Sequence, residues 1–181
     1  MYTIHMKFVM PDIVTSQFLL RPGDTVADFG AGRGFFLRPL CQAVTAEGTV
    51  YLCEIQKELV EYIGEQIRLG GLGHAKTMWC DLEESNGIAI EDNTLDVAIV
   101  VNTLYQIEDR PVALTEMLRT IRPGGRLMII DWTDAVPGLG PTPDKILSAA
   151  ACTNELETLG CVLDREFPAG EHHYGLAFRK V

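Results

Sequence analysis

The sequence predicts an α/β fold, a doubly wound and mostly parallel sheet with helices on both faces. Three observations carry this. Short β-rich runs alternate five times with stretches of helical length, the pattern of βαβ units. One run, VAIVV within 94–101, is almost unbroken in its apolar character, as a central strand buried on both faces must be. A glycine-rich turn, Gly30, Gly32 and Gly34, follows the first run directly, where an open sheet of this kind places a ligand.

Taken in order, Pro11 and Asp12 open a helical pattern, PDIVTSQFLL, which stops at the turn signal Arg21-Pro22-Gly23. Strands are predicted at 24–29, 48–54, 75–81, 94–101 and 125–132, with helices at 33–45, 56–69 and 109–121. The second of these helices has Leu59, Ile63 and Ile67 on one face and Glu58, Glu61 and Glu65 on the other. Pro39 should bend the first without breaking it. Beyond Trp132, residues 133–145 carry three prolines and two glycines and read as a long ordered loop on the substrate side. A helix is expected from Pro143-Asp144 to Leu159, closed by Gly160. Residues 161–167 and 172–180 then form an antiparallel hairpin around Pro168-Ala169-Gly170-Glu171, giving seven strands.

Composition narrows the partners. At 181 residues the chain reads as a single domain, 1–181, large enough to bury roughly two thirds of its unfolded surface without staples. Fifteen basic against 25 acidic residues leave a net charge of -10, which repels a phosphate backbone and an anionic membrane alike. No run approaches the roughly 20 apolar residues of a membrane span, and no leader is evident. The five cysteines are scattered, with no CxxC pair and no histidine at ligand spacing, so no metal site is expected and the thiols read as reduced core residues of a cytoplasmic protein. A monomer or homodimer with a small-molecule substrate fits these limits.

The glycine turn does not match the dinucleotide pattern G-x-G-x-x-G/A, because Phe35 occupies its sixth place, and no Gly-Lys-Ser/Thr follows as a P-loop requires. Glu54 ends the second strand, where a carboxylate can accept from both hydroxyls of a ribose. Asp81-Leu82 ends the third, where an acid can accept from an exocyclic amine while the next amide donates to a ring nitrogen. Together these elements indicate an adenosine-type ligand.

These residues resemble the class I S-adenosylmethionine-dependent methyltransferases. VADFGAGRG is similar to that family's first motif, LDVAIVVNTLYQI to its fourth, and IRPGGRLMIIDW to its turn and fifth strand. Within the family the chain looks most like the small methyltransferases grouped with ubiquinone and menaquinone biosynthesis. The resemblance implies a Rossmann-like sheet of order 3-2-1-4-5-7-6 with the seventh strand antiparallel, and S-adenosylmethionine as cofactor. It also implies that Gly30, Ala31, Gly32 and Gly34 lie along the methionine and ribose portion, with Asp28 just below. Glu54, with Ile55 beside it, would take the ribose, Asp81 and Leu82 the adenine edge, and Asn102 the methionine end through its backbone. Where many relatives carry a histidine pair after the fourth strand, this chain has Tyr105-Gln106.

Methyl transfer from a sulfonium is chiefly a matter of alignment and water exclusion; a base is needed only when the acceptor must lose a proton. His5, Tyr105 and Asp131 are the candidates for that role. Tyr2, Asn102, Trp132 and the pair His172-His173 also fall around the expected mouth; the plainer reading makes Tyr105 and Trp132 packing aromatics, His5 a solvated terminal residue and the histidine pair surface residues of the hairpin. Residues 1–22 and the loop 133–145 are the available lid, and Lys7, Arg21, Arg33 and Arg38 form a basic rim. A non-catalytic adenosine-binding scaffold is the main alternative. A nicotinamide-dependent oxidoreductase is disfavoured by Phe35 and Asp81.

Overall fold

The structure is a computed structural model and describes residues 8–181. Its seven strands are β1 (Thr25–Phe29), β2 (Thr49–Glu54), β3 (Ala75–Trp79), β4 (Leu95–Val101), β5 (Ile121–Trp132), β6 (Cys161–Pro168) and β7 (His173–Lys180). They form one sheet in the order β3-β2-β1-β4-β5-β7-β6. β1 pairs in parallel with both β2 and β4, so the strand order reverses there. β7 is antiparallel to β5 and β6 and lies between them.

Five α-helices, α1 (Pro11–Val14), α2 (Leu37–Val44), α3 (Lys57–Gly70), α4 (Arg110–Thr120) and α5 (Ala149–Thr158), accompany the sheet. The central strands are buried on both faces, as the continuous apolar run of β4 anticipates, and their side chains divide into two cores. Ala98, Val100, Leu127 and Ile129 pack towards α4 and α5 residues such as Leu114 and Cys152. Val97, Ile99, Met128 and Ile130 pack with Val14, Phe18 and Leu40 on the opposite face. All five cysteines are free and buried. No helix among the described residues is long and apolar enough to cross a membrane.

Four boundaries differ from the sequence expectation, each for a local reason. The first long helix begins at Leu37, not at 33, because residues 30–36 are taken up by a wrapped turn, with Gly34 N–H donating to Ala31 O at 2.8 Å and Leu37 N–H to Gly34 O at 3.1 Å. Pro39 therefore falls in the first helical turn, where its missing N–H is one that no helix satisfies internally, and no bend is required. The helix expected over 143–159 is divided: Pro143–Lys145 form a single 3-10 turn, and α5 starts after Ser148, whose hydroxyl accepts from Ala151 N–H at 3.2 Å. β5 begins at Ile121, four residues early, with a register shift against β4 that leaves Arg122-Pro123-Gly124 exposed.

The fourth concerns the pattern over 11–20, which divides into α1 and a 3-10 helix, Thr15–Phe18, ending at Leu19 with φ of 50°. Thr15 and Ser16 return their hydroxyls to Pro11 O and Ile13 O at 2.7 Å each, and such back-bonding is the local competitor of a regular helix. This segment is docked, not loose. Val14 and Phe18 are fully buried, Arg126 donates to Phe18 O at 2.6 Å and Leu19 O at 3.0 Å, and Arg165 donates to Gln17 O.

Candidate functional site

At the carboxyl ends of β1, β2 and β4, beside the reversal of strand order, lies a cavity of about 680 Å³. That is the size and the place at which an open α/β sheet takes a small ligand. Its floor is the turn after β1. Gly30 and Ala31 donate their amides to Cys53 O at 2.9 and 3.0 Å, which ties the turn to β2. Gly32 N–H donates to Glu54 Oε2 at 2.8 Å, and Gln56 N–H to Oε1 at 2.9 Å, so one buried carboxylate clamps the ends of β1 and β2 together.

The glycines serve different ends. A Cβ on Gly30 would lie 2.5 Å from Thr103 Oγ1, because this residue is the contact between the loops after β1 and β4. A Cβ on Gly32, at φ of 57°, would meet nothing within 4 Å, and Gly32 lines the cavity. Gly34 sits against Ile63 of α3 and is not among the lining residues.

Four buried polar atoms of lining residues have no partner among the described residues: Asp28 Oδ2 and Asn102 Oδ1 near the glycine turn, and Trp132 Nε1 and His173 Nε2 at the ends of β5 and β7. Asn102 takes a left-handed conformation (φ 54°), its amide donates to Ile130 O at 2.8 Å, and its carbonyl accepts from Gln106 at 2.9 Å. Its carbonyl keeps a second lone pair and its side-chain oxygen has no partner among the described residues, so both are available to a ligand. Burial first, and then the neighbouring Glu54, push the Asp28 carboxyl up to about 7.

Glu54, Ile55, Asp81 and Leu82 line the β2–β3 side of the cavity. Asp81 Oδ1 accepts from Glu83 N–H at 3.0 Å, an Asx-type turn that fixes the acid at the strand end. Among the candidate bases, His5 lies outside the described residues, as do Tyr2 and Lys7. Tyr105 borders an adjoining cavity of about 260 Å³ shared with Arg110 and Lys145, and burial raises its hydroxyl above the ordinary range. Asp131 does not line the main cavity. It is buried beneath the 104–106 turn, accepts from Trp132 N–H at 2.8 Å, and is pushed up to about 6 by that burial, against the opposing pull of backbone amides. His172 is half exposed and pairs with Asp134 at 2.9 Å, whereas His173 is buried and lines the cavity with Trp132.

Sequence reasoning did not single out Thr103, Cys53 or Cys80 at this site, and it read His173 as a surface residue. For His173 the signal was present: successive strand residues face opposite sides, so one member of the His172-His173 pair had to point inward. Thr103 carried no such signal, since its role is a contact with a glycine far away in sequence.

The raised carboxyls make a pH prediction. Between the ordinary carboxylate value near 4 and about 7, the folded chain keeps protons on Asp28 and Asp131 that the unfolded chain has released, so stability falls as pH rises through that window. Acids held below their usual range, such as Glu116 beside Arg119, act in the opposite sense at lower pH, and His173, lowered by burial, offsets part of the fall just below pH 6.5. The midpoint of thermal unfolding of the ligand-free chain is expected to drop by several degrees from pH 5 to pH 8, at roughly 2–4 °C per kcal/mol for a domain of this size. Asp28→Asn should flatten the slope; an unchanged slope would show that Asp28 titrates as an ordinary carboxylate.

Residues 27–129, more than half of the chain, match the family described as a methyltransferase domain. With the strand order and the glycine turn, this places the chain in the class I S-adenosylmethionine-dependent methyltransferases, whose cofactor is S-adenosylmethionine. Among curated proteins it is similar to the ubiquinone/menaquinone biosynthesis C-methyltransferase UbiE of Idiomarina loihiensis, 31% identical over 118 residues, 65% of this chain and 46% of that protein. The corresponding enzyme of Pasteurella multocida is 29% identical over 65% of this chain and 43% of its own length. The chain thus spans a little under half the length of these relatives. Among solved structures, a SAM dependent methyltransferase from Aquifex aeolicus superimposes with a TM-score of 0.87 at 29% identity, covering 96% of this chain and 91% of the other. The [4+2]-cyclase SpnF aligns at 0.81 over 98% of this chain and 87% of its own, with 16% identity, a likeness of fold alone.

The cavity fits that cofactor. An aminoacyl cation needs acceptors where Asp28 and Asn102 have unpartnered oxygens, and a ribose needs a carboxylate where Glu54 stands.

Proposed function

We propose that this chain transfers a methyl group from S-adenosylmethionine to a small, largely apolar ring compound, with carbon as the favoured acceptor atom. The observation that carries the donor half is the open side of Gly32 at the C-terminal edge of β1, with Glu54 beneath it and the unpartnered Asp28 oxygen alongside. In this reading Gly32 gives close backbone approach, Asp28 and Asn102 take the amino group, Glu54 the ribose hydroxyls, and Asp81 with Leu82 the adenine edge. When bound, the cofactor supplies an electrophilic methyl on a sulfonium centre. The chain's own contribution is to align the acceptor and keep water out.

The acceptor class rests on two supports. Phe8, Phe35 and Ile55 are exposed at the cavity and give it an apolar rim. The curated relatives are named for methylation at carbon in quinone biosynthesis. The net charge of -10 favours a small molecule over nucleic acid. Residues 133–145 act as the acceptor-side loop of a single domain; Gly140 lies so close to the Trp132 indole that an added Cβ would be 2.7 Å from it.

Calorimetric titration with S-adenosylhomocysteine, with NAD as comparison, tests the donor half. Micromolar binding of the first alone is expected, and equal or preferential binding of NAD would sink the reading.

A further inference from the structure

Beyond the end of β4, at the paired ends of β5 and β7 and so on the side of the cavity away from β2 and β3, two aromatic rings adjoin across the strands. Trp132 and His173 are register partners, with ring centroids 4.3 Å apart, and both line the cavity. Their exposures are 6% and 7%. In each the polar ring atom left over is buried and without a partner among the described residues: Trp132 Nε1 and His173 Nε2. Buried polar groups are nearly always paired, so two orphans in contact at a cavity wall are evidence of a ligand that pairs them.

Their chemistry is complementary. An indole Nε1–H only donates. The tautomer of His173 follows from its other nitrogen, which lies 2.9 Å from Glu171 O. A carbonyl only accepts, so Nδ1 carries the hydrogen and Nε2 presents a lone pair in the neutral ring. One donor and one acceptor on adjoining rings match a group that is itself both, and the smallest such group is a hydroxyl.

Resting on the methyl-transfer reading above, we propose that Trp132 and His173 form the acceptor's hydroxyl site and that His173 Nε2 is the base that takes the acceptor's proton. The hydroxyl oxygen accepts from Trp132 Nε1–H while its O–H donates to Nε2. As the acceptor atom forms its bond to the methyl carbon, the carbon–sulfur bond breaks and sulfur keeps that electron pair. The hydroxyl proton passes to Nε2, whose ring becomes imidazolium. For methylation at a ring carbon, loss of the O–H proton drives density to that carbon; the carbon's own hydrogen then leaves as a proton to solvent while the imidazolium returns its proton to the oxygen, so the ring recovers aromaticity and His173 is neutral again. The Nδ1–H bond to Glu171 O holds the ring in register and spreads the charge that develops.

Burial, joined by the charge on His172, keeps the imidazole below its ordinary pKa and therefore neutral at pH 7. Asp134, paired to His172, acts in the opposite sense. Asp28, Cys53, Glu54, Cys80, Asp81 and Glu83 are the other titratable groups at the cavity wall.

The test uses the whole chain saturated with S-adenosylhomocysteine and hydroquinone as the hydroxyl probe, with 1,4-dimethoxybenzene as its counterpart lacking O–H. Nitrogen-15 NMR of the histidine rings should show Nδ1 protonated and Nε2 bare at pH 7.5, with Nε2 shifting on addition of hydroquinone and not of the ether. H173F should weaken hydroquinone at least tenfold and W132F severalfold, with S-adenosylhomocysteine affinity within about twofold in both, which also certifies the fold. H173Q should retain binding but abolish its loss at acid pH, below the ordinary histidine range, where the imidazolium can no longer accept. A protonated Nε2 at pH 7.5, no binding of hydroquinone by the unmodified chain, or equal binding by H173F overturns the assignment. The NMR result stands whether or not the nucleoside binds, so failure of the donor site is read separately.

Discussion

Gly32→Val is expected to reduce affinity for S-adenosylhomocysteine by more than 100-fold while leaving the chain folded. Valine's branches would extend from a Cα that now faces open cavity, into the space a ribose and its chain must share with the backbone. The backbone there is left-handed (φ 57°), so the side chain adds strain of about 1–2 kcal/mol, enough to lower the unfolding temperature by a few degrees and not enough to unfold a domain. Gly30→Val supplies the contrast. Its Cβ meets Thr103 at 2.5 Å, so stability and binding should fail together. Titration calorimetry paired with a melting curve separates the two cases, and retention of micromolar affinity by the Gly32 variant would move the nucleoside elsewhere.

Glu54→Ala should weaken the same ligand by about 1.5–3 kcal/mol, the scale of hydrogen bonds to a charged acceptor, or roughly 10- to 150-fold. Part of that loss is indirect, because the carboxylate also receives the amides of Gly32 and Gln56. Glu54→Gln keeps one acceptor oxygen and places a donor where an N–H already points, so it should fall between alanine and the parent. Affinity unchanged in Glu54→Ala would remove the ribose role.

The strands were legible because their signal is local. The runs over 24–29, 48–54 and 94–101 are apolar, β-branched and bounded by turn residues, and a strand needs little more. The helix starts were less so. Within 33–36 only Gly34 disfavours a helix, and what holds the segment in a turn is Gly34 at φ 73° packed against Ile63, a contact that sequence alone does not display. At 143–159 the competing cue was visible but outweighed: Ser148 is a good cap, yet Pro143-Asp144 offered an earlier start. At the site, the strand-end acids and the glycine turn were readable, since their chemistry demands particular residue types. The base candidates were not. Asp131 was selected for its place at the end of a strand, but the turn at 104–106 covers it, and covering is a tertiary event.

Arg126 and Arg165 have a consequence for how the chain fails. Their guanidinium groups hold the last carbonyls of the 3-10 helix, and beneath it Phe18 lies 5.9 Å from Phe36 and 6.3 Å from Phe167. A short segment at the edge of a fold opens before the central sheet does, even where it buries two side chains as this one does. On heating, release of this strap is expected to uncover a cluster of phenylalanines before the sheet opens. Self-association of a still largely native chain is then expected to precede global unfolding, which light scattering followed alongside a melting curve would show as aggregation below the unfolding midpoint.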